Sequence, residues 1–435
     1  MKTAYVAMAT DVYHSGHINI INHAAKYGAV IVGVLTDEAI ATYKRPPLLD
    51  TAERMRIASG FKHVERVVIQ KTIDYSNILR ELRPDYVLHG DDWRTGHMQI
   101  IRQKVIDVLS EWGGELVEVP YTKGLSADKL SRQLTSFVAT PNERLVKLHK
   151  LLQLKPYIRA IDTSNGLTGI IAENVRFMDK DTLTVKEFDA MWISSLCDSA
   201  FKGKPDIELV DLTSRINSIN EIMEVTSKPI ILDGDTGGKI EHFPFHVKTL
   251  ERIGVSAVII EDKTGLKQNS LFGTDVKQVL DEPADFAAKI ATGKRAQQTR
   301  EFMIISRLES LIAGKSVDDA MMRAKTYVKS GADAVMIHSK EKSGDDVFAF
   351  MNRFRAYSAD IPLVVVPTTY NQFTEDQLHA KGANIIIHAN HLLRSAYPAM
   401  MRAAESILAN GRSREASTEY CMPLQEVLTF IEKLK

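Results

Sequence analysis

Two groups of residues in this 435-residue chain carry types and spacings that could do chemistry. The first is His14-Ser15-Gly16-His17. An H-x-G-H run is expected by chance about 0.02 times in this composition, which makes two surface histidines at a tight turn a poor explanation. The functional account has a mechanism: a glycine lets backbone approach a phosphate, a helix N-terminus favours anions, and two imidazoles can donate to a triphosphate. The second group is spread over the C-terminal two-thirds. It comprises Trp192-Ile193-Ser194-Ser195, Asp233-Gly234-Asp235, Glu261-Asp262-Lys263, Arg307, His338-Ser339-Lys340, Pro367-Thr368 and His388-Ala389-Asn390. Asp233, Asp235, Glu261 and Asp262 are hard oxygen ligands suited to Mg²⁺. Arg307 and His338 can clamp a phosphoryl group, and Ser194 with backbone N–H groups can take a carboxylate. Together they imply a small substrate bearing both carboxylate and phosphate.

The elements that must position these groups can be read from periodicity. Tyr5–Met8, Val30–Leu35, Arg66–Ile69, Tyr86–Leu88 and Leu116–Val119 read as strands, with a helix over Gly16 to Tyr27 closed by Gly28 as its C-cap. Strand–helix alternation at this spacing predicts an open parallel sheet of Rossmann type. Ser126 to Arg144 is polar, with Thr140-Pro141-Asn142 as a turn signal, so the domains are expected at 1–135 and 145–435 with a linker at 136–144. Beyond it, Tyr157–Ile161, Ala190–Ser194, Pro229–Leu232, Ala257–Ile260, Met303–Ser306, Ala334–Ile337, Leu363–Val366 and Ile385–Ile387 recur between helical stretches such as Val317–Ser330. Apolar runs like these suit strands buried on both faces, and eight of them predict a (β/α)8 barrel of TIM type. The chemical residues then fall at C-terminal strand ends, where such barrels place their active sites.

Composition narrows the class. Lys plus Arg equals Asp plus Glu at 55 each, so no global field draws the chain to nucleic acid or an anionic membrane. Two cysteines, Cys197 and Cys421, without a pairing pattern fit a reducing compartment, and Cys197 reads as packing. No long apolar run predicts a transmembrane helix and the N-terminus reads as a buried strand, so a cytoplasmic protein is expected. His242 and His246 form H-x-x-x-H, but the intervening Pro244 argues against a helical metal pair.

Glu261-Asp262-Lys263 through Asn269-Ser270 resembles the EDKxxxxxNS signature of phosphoenolpyruvate mutase, of the isocitrate lyase superfamily. The likeness runs from about Leu145 to Lys435 and includes Asn165-Gly166-Leu167 and Asp233-Gly234-Asp235-Thr236-Gly237. It implies Mg²⁺-dependent rearrangement of phosphoenolpyruvate to phosphonopyruvate. Asp233 is then the direct metal ligand, with Asp235, Glu261 and Asp262 contributing through waters. Asn269, Arg307 and His338 hold the migrating phosphoryl group, Lys267 lies on a closing loop, and Trp192, Ser194, Ser195 and Ser270 bind substrate. Asp206 falls beside the transferring phosphorus, as nucleophile or as charge. The family usually has glycine where this chain has Ser195. The lyases of the superfamily use a Lys-Lys-Cys-Gly-His run that is absent here, and phosphonopyruvate hydrolase, expected to lack the asparagine at position 269, is the nearer rival. The resemblance also implies a homo-oligomer built through the barrel by exchanged C-terminal helices.

Over about residues 1–130, Thr36-Asp37, Glu53-Arg54, Gly90-Asp91-Asp92-Trp93 and Thr122-Lys123-Gly124-Leu125-Ser126 follow the histidines in order. The region resembles glycerol-3-phosphate cytidylyltransferase, which implies CTP as substrate. His14 and His17 would stabilise developing charge, Lys44 and Ser126 approach the phosphates, Asp11 lie near metal or triphosphate, and Asp91 and Trp93 sit by base and ribose. Met8-Ala9-Thr10-Asp11 replaces the usual Gly-Thr-Phe-Asp, and Tyr121 and Ala127 replace an Arg and a Thr. These changes argue against glycerol 3-phosphate as acceptor. The combination is similar to bifunctional enzymes of phosphonate biosynthesis and implies CMP transfer to a downstream phosphonate such as 2-hydroxyethylphosphonate or 2-aminoethylphosphonate. The alternatives are a hydrolase barrel with another cytidylyl acceptor, and a non-catalytic ligand sensor.

Overall fold

The structure, a computed structural model, describes residues 2–43, 46–94, 98–120, 140–179 and 184–433. It divides into two units. The first holds Met1–Ala139, Gln153–Lys155 and Arg176–Glu187; the second holds Thr140–Leu152, Pro156–Val175 and Phe188–Lys435.

In the first unit, β1 (Thr3–Met8), β2 (Ala29–Leu35), β3 (Val64–Gln70), β4 (Tyr86–Gly90) and β5 (Glu115–Val119) form a parallel sheet in the order β3-β2-β1-β4-β5. This is the expected Rossmann-like arrangement. The order reverses between β1 and β4, and in open α/β sheets ligands bind at the carboxyl ends flanking such a reversal. The H-x-G-H run leaves β1 there and opens the helix Ser15–Ala24. That helix ends before Gly28, which is no C-cap: the capping residue is Ala25. Position 28 is glycine because a Cβ would lie 2.2 Å from the carbonyl oxygen of Lys2 at the entry to β1. A two-stranded antiparallel pair, β7 (Arg176–Asp179) and β8 (Thr184–Glu187), belongs to this unit, with Val185 N–H donating to the Thr42 carbonyl at 2.9 Å.

In the second unit, β6 (Ile158–Asp162), β9 (Ala190–Ile193), β10 (Ile230–Asp233), β11 (Ala257–Glu261), β12 (Met303–Leu308), β13 (Ala334–Ile337), β14 (Leu363–Val365) and β15 (Ile385–His388) close into a parallel barrel, β15 pairing β6. All eight match the expected strands. Thr140-Pro141-Asn142 is not a turn, since Pro141 opens the helix Pro141–Leu154. A proline's missing N–H and fixed φ suit a helix's first position. Pro244 likewise does not break its segment: it sits in the first turn of Phe243–Ile253, after His242 as N-cap.

Strand residues alternate between two cores. Ala190, Trp192, Ile231, Ala257, Ile259, Met303, Ile305, Ala334 and Met336 fill the barrel interior, joined by Leu148 and Leu151 from the helix Pro141–Leu154. Met191, Ile193, Leu232, Val258, Ile260, Ile304, Val335 and Ile337 pack outward against the helices. This period of two decides which strand-end groups face the barrel mouth.

Candidate active sites

Carrying the alternation one step further gives the barrel site. Ser194, Asp233, Glu261, Arg307 and His338 each follow an inward-facing residue by two, so all five aim inward. A pocket open to solvent is lined by Trp192, Ser194, Ser195, Asp206, Asp233, Lys267, Asn269, Ser270, Arg307 and His338, with Met336, Val366 and Leu271 as apolar wall. Most of the expected barrel residues therefore meet in one cavity.

The cavity is polarised. Asp233 Oδ2 accepts from Ser195 N–H at 3.2 Å and from Ser195 Oγ at 2.9 Å, leaving Oδ1 with only a 3.3 Å contact from Asp235 N–H. Burial raises its pKa, but Lys267, Arg307 and Arg215 outweigh this and hold it at about 2. Asp235 is paired with Arg215 at 3.0 Å and with Lys267. Its own pKa is raised, because burial there exceeds the pull of Lys267. Lys267 also donates to Ser195 Oγ and to Asp206 Oδ1, both at 2.8 Å, while Asn269 Nδ2 donates to Asp206 Oδ2 at 2.8 Å. Arg307 donates through Nη2 to Ser270 Oγ at 2.8 Å and lies 2.9 Å from His338 Nδ1. His338 Nδ1 also lies 3.1 Å from Glu309 Oε1, so this nitrogen can accept from Arg307 or donate to Glu309 but not both, and the tautomer decides which. Burial first, and Arg307 second, keep His338 below the ordinary imidazole pKa and thus neutral.

Glu261 has both carboxylate oxygens buried without a hydrogen-bond donor, and its cationic neighbours Lys263 and Arg307 stand at 3.3 and 3.4 Å. Burial pushes its pKa up to about 7. An undonated buried carboxylate beside an open Asp233 oxygen fits a hard divalent cation better than it fits the bare protein. Among the described residues no three His, Cys, Asp or Glu side chains converge to hold a metal alone. Mg²⁺ asks for no such cage, since it takes one or two carboxylates and completes its shell with water and substrate oxygens.

Asp262 does not belong to this set. It follows outward-facing Ile260 by two, and its side chain is buried against the helix Val317–Lys329, accepting from Arg323 at 3.1 Å, Tyr327 at 2.8 Å and Glu309 N–H at 2.9 Å. It is a structural anchor, not a metal ligand. His388 also faces outward, 3.1 Å from Glu375. Glu309 was not anticipated. Two residues beyond Arg307, it accepts from Arg307 Nε at 2.5 Å, lies 3.1 Å from His338 Nδ1, and is held far below the carboxylate range because the Arg307 charge overcomes the effect of burial. The inward parity of β12 was the signal that could have found it. Arg215, from the helix Leu212–Met223, is a second unanticipated partner.

The segment from Lys263 to Asp281 covers the rim. Its base is tied as a short ladder: Lys263 bridges Leu280, Thr264 N–H donates to Val279 at 2.9 Å, and Asp281 N–H donates to Asp262 at 2.9 Å.

In the first unit, His14 caps the helix Ser15–Ala24. Its Nδ1 accepts from Gly16 N–H at 3.1 Å, and His17 Nδ1 accepts from His14 N–H at 3.4 Å. Both Nδ1 atoms are thereby acceptors, so the neutral rings, with centroids 4.2 Å apart, carry their hydrogens on Nε2 as donors suited to an anion. Burial lowers the pKa of His14. Arg54, fully buried, draws the strand ends together by donating to Ala9 O at 2.5 Å, Leu35 O at 2.7 Å and Leu49 O at 3.0 Å, and it pairs with Asp37. Asp11 Oδ1 is occupied by Leu48 N–H at 2.7 Å and Leu49 N–H at 3.2 Å. Asp91 begins the turn after β4. Trp93 cannot sit by base and ribose. It is wholly buried, one ring face stacks on His89 at 3.7 Å, and its N–H donates to Glu118 at 3.0 Å. Lys44 and Ser126 lie outside the described residues.

Residues 150–408 match the family described as Phosphoenolpyruvate phosphomutase, and residues 10–125 the one described as Cytidylyltransferase-like. A phosphoenolpyruvate phosphomutase of Tetrahymena pyriformis is 33% identical over 64% of this chain and 88% of its own. A phosphonopyruvate hydrolase of Variovorax sp. is 36% identical over 52% of this chain and 78% of its own. Among solved structures, phosphoenolpyruvate phosphomutase from Streptomyces platensis subsp. rosaceus superposes with a TM-score of 0.59 at 32% identity, covering 66% of this chain and 95% of the other. A phosphonopyruvate hydrolase complex with oxalate and Mg²⁺ gives 0.57 at 29% identity, covering 68% and 95%. No described helix is long and apolar enough to cross a membrane.

Proposed function

The chain belongs to the phosphoenolpyruvate phosphomutase family and carries a cytidylyltransferase-like unit at its N-terminus, and from that premise we propose that it is a bifunctional enzyme of phosphonate biosynthesis. The barrel interconverts phosphoenolpyruvate and phosphonopyruvate. The observation that carries this reading is the convergence of Arg307, His338, Asn269 and Asp206 on one pocket beside Asp233. The ester O–P bond breaks, leaving pyruvate enolate, and C3 of that enolate closes a C–P bond to the same phosphorus, with no proton gained or lost. Asp233, supported by Asp235 and Glu261, would hold magnesium, which when bound would supply positive charge favouring the enolate. Arg307, neutral His338 and Asn269 grip the phosphoryl oxygens, and Ser194 with Trp192 seats the pyruvoyl part. Asp206 has both oxygens engaged by Lys267 and Asn269, which suits a charge-setting role over a nucleophilic one. The segment carrying Lys267 keeps water from the phosphoryl group in transit.

The N-terminal unit transfers CMP from CTP to a phosphonate made downstream, such as 2-hydroxyethylphosphonate or 2-aminoethylphosphonate. A phosphonate oxygen attacks the α-phosphorus and pyrophosphate leaves, with the two histidine Nε2–H groups facing the developing charge. The barrel associates into a homo-oligomer through the helices His391–Asn410 and Leu424–Lys433, which expose Tyr397, Met400, Leu408 and Leu424 to solvent in the single chain.

Phosphonopyruvate supplied with Mg²⁺ is expected to give phosphoenolpyruvate by ³¹P NMR. Pyruvate and phosphate as sole products would make the barrel a hydrolase. With CTP and a panel of phosphonates, pyrophosphate release is expected, and release with glycerol 3-phosphate alone would sink the phosphonate assignment.

A further inference from the structure

We infer that the Ser195 hydroxyl is a specificity-determining latch which fastens the Lys263–Asp281 segment over the pocket and so biases transfer of the phosphoryl group toward the enolate and away from water. This deepens the mutase reading and rests on it. Lys267 Nζ has three protons and three anchors: Ser195 Oγ, Asp206 Oδ1 and Asp235 Oδ1. Asp206 and Asp235 are ionic partners. Ser195 is the neutral one, and the one whose side chain links Lys267 onward to Asp233. Its hydroxyl accepts from Lys267 at 2.8 Å and donates to Asp233 Oδ2 at 2.9 Å, a relay with every proton placed. Backbone alone would not provide it, because Ser195 N–H already donates to the same Asp233 oxygen, and a residue without a hydroxyl leaves Lys267 one buried donor short. Lys267 and Ser195 are each about 5% exposed, so water cannot readily replace the lost bond in the closed arrangement. Beyond Lys267 the segment is tied down by Asn269 to Asp206 and by Ser270 to Arg307, while Leu266 at 71% and Phe272 at 53% exposure add no packing there.

When the segment opens during turnover, water attacks phosphorus: the C–P bond of phosphonopyruvate breaks, a P–O bond to water forms, and the released enolate takes up a proton to give pyruvate and phosphate. The test compares wild type with Ser195→Ala and Ser195→Gly. Two quantities are read: the ratio of phosphate to phosphoenolpyruvate formed from phosphonopyruvate, and hydrogen exchange of the 264–280 amides in the protein without added metal or substrate. Loss of one hydrogen bond to a buried cation is expected to raise both the ratio and the exchange rates by about tenfold. A general loss of structure lowers both product fluxes together and leaves their ratio alone. An unchanged ratio, or unchanged exchange over 264–280, would overturn the latch. So would loss of cooperative melting in both variants, since the hydroxyl would then serve the fold. If wild type forms no phosphoenolpyruvate, the mutase reading fails by itself, and the exchange measurement still decides the role of Ser195.

Discussion

Replacing Glu309 by Gln isolates the charge behind the phosphoryl clamp. Glutamine keeps the shape and one acceptor oxygen, so Arg307 retains a partner at Nε, now neutral where the carboxylate stood 2.5 Å away. Glu309 is fully buried, so little solvent screens the loss. A hydrogen bond to a charged group contributes about 1.5–3 kcal/mol. Taking the upper end for an ion pair at this depth gives about 3 kcal/mol, or about a hundredfold at 1.4 kcal/mol per decade. The loss should fall on kcat/KM, because Arg307 and His338 would no longer be aimed for the transition state. Initial rates of phosphoenolpyruvate formation with saturating Mg²⁺ measure it, with thermal melting as the control for folding. A decrease of less than about threefold with the fold intact would mean that Arg307 is positioned by Ser270 and Glu261 alone, and the reasoning about Glu309 would be wrong.

Three other outcomes follow from the same geometry. Glu261 has a folded pKa of about 7 against the ordinary 4.5, so its protonated form is preferred in the folded chain. In chelator its contribution is fully present below about pH 4.5 and is lost as pH rises through about 7, a loss of about 3 kcal/mol that Glu261→Gln should abolish in urea titrations at pH 5 and 8. Asp262→Asn should lower stability by about 2 kcal/mol while leaving the magnesium concentration for half-maximal activity unchanged, and a shifted magnesium requirement would return Asp262 to the metal set. Asp233→Ala should abolish turnover in the barrel and leave CTP-dependent pyrophosphate release nearly intact; loss of both activities would show that the halves are not independent.

Both folds were legible in the sequence because buried parallel strands are written as short, nearly unbroken apolar runs, and all eight barrel runs close in chain order. The rim was legible because strand ends in such a barrel converge wherever the intervening helices lie. What escaped was direction. Glu261 and Asp262 are adjacent acids of similar chemistry, yet one faces the mouth and the other Arg323; only alternation counted from Ile259 and Ile260 separates them. The same count would have found Glu309. Trp93 misled because a tryptophan beside a candidate nucleotide loop carries no mark of whether its ring is spent, and here His89 and Glu118 use it. Gly28 looked like a helix terminator although its cause is a carbonyl twenty-six positions away in chain.

The neighbouring acids at the end of β11 also bear on how the strand keeps its alignment. A slip by one position that carried Asp262 to the mouth would set Lys263 in the place Asp262 holds, against Arg323 and Tyr327, and the opposite slip would put Ile260 at the mouth. Charge therefore opposes either slip and reinforces the frame that the apolar segment Ala257–Ile260 sets through its pairing to β12. Deleting a single residue in that segment would bring an aspartate to the rim but a lysine against buried Arg323, and inserting one would leave isoleucine at the mouth, so errors in this strand would cost structure and turnover together.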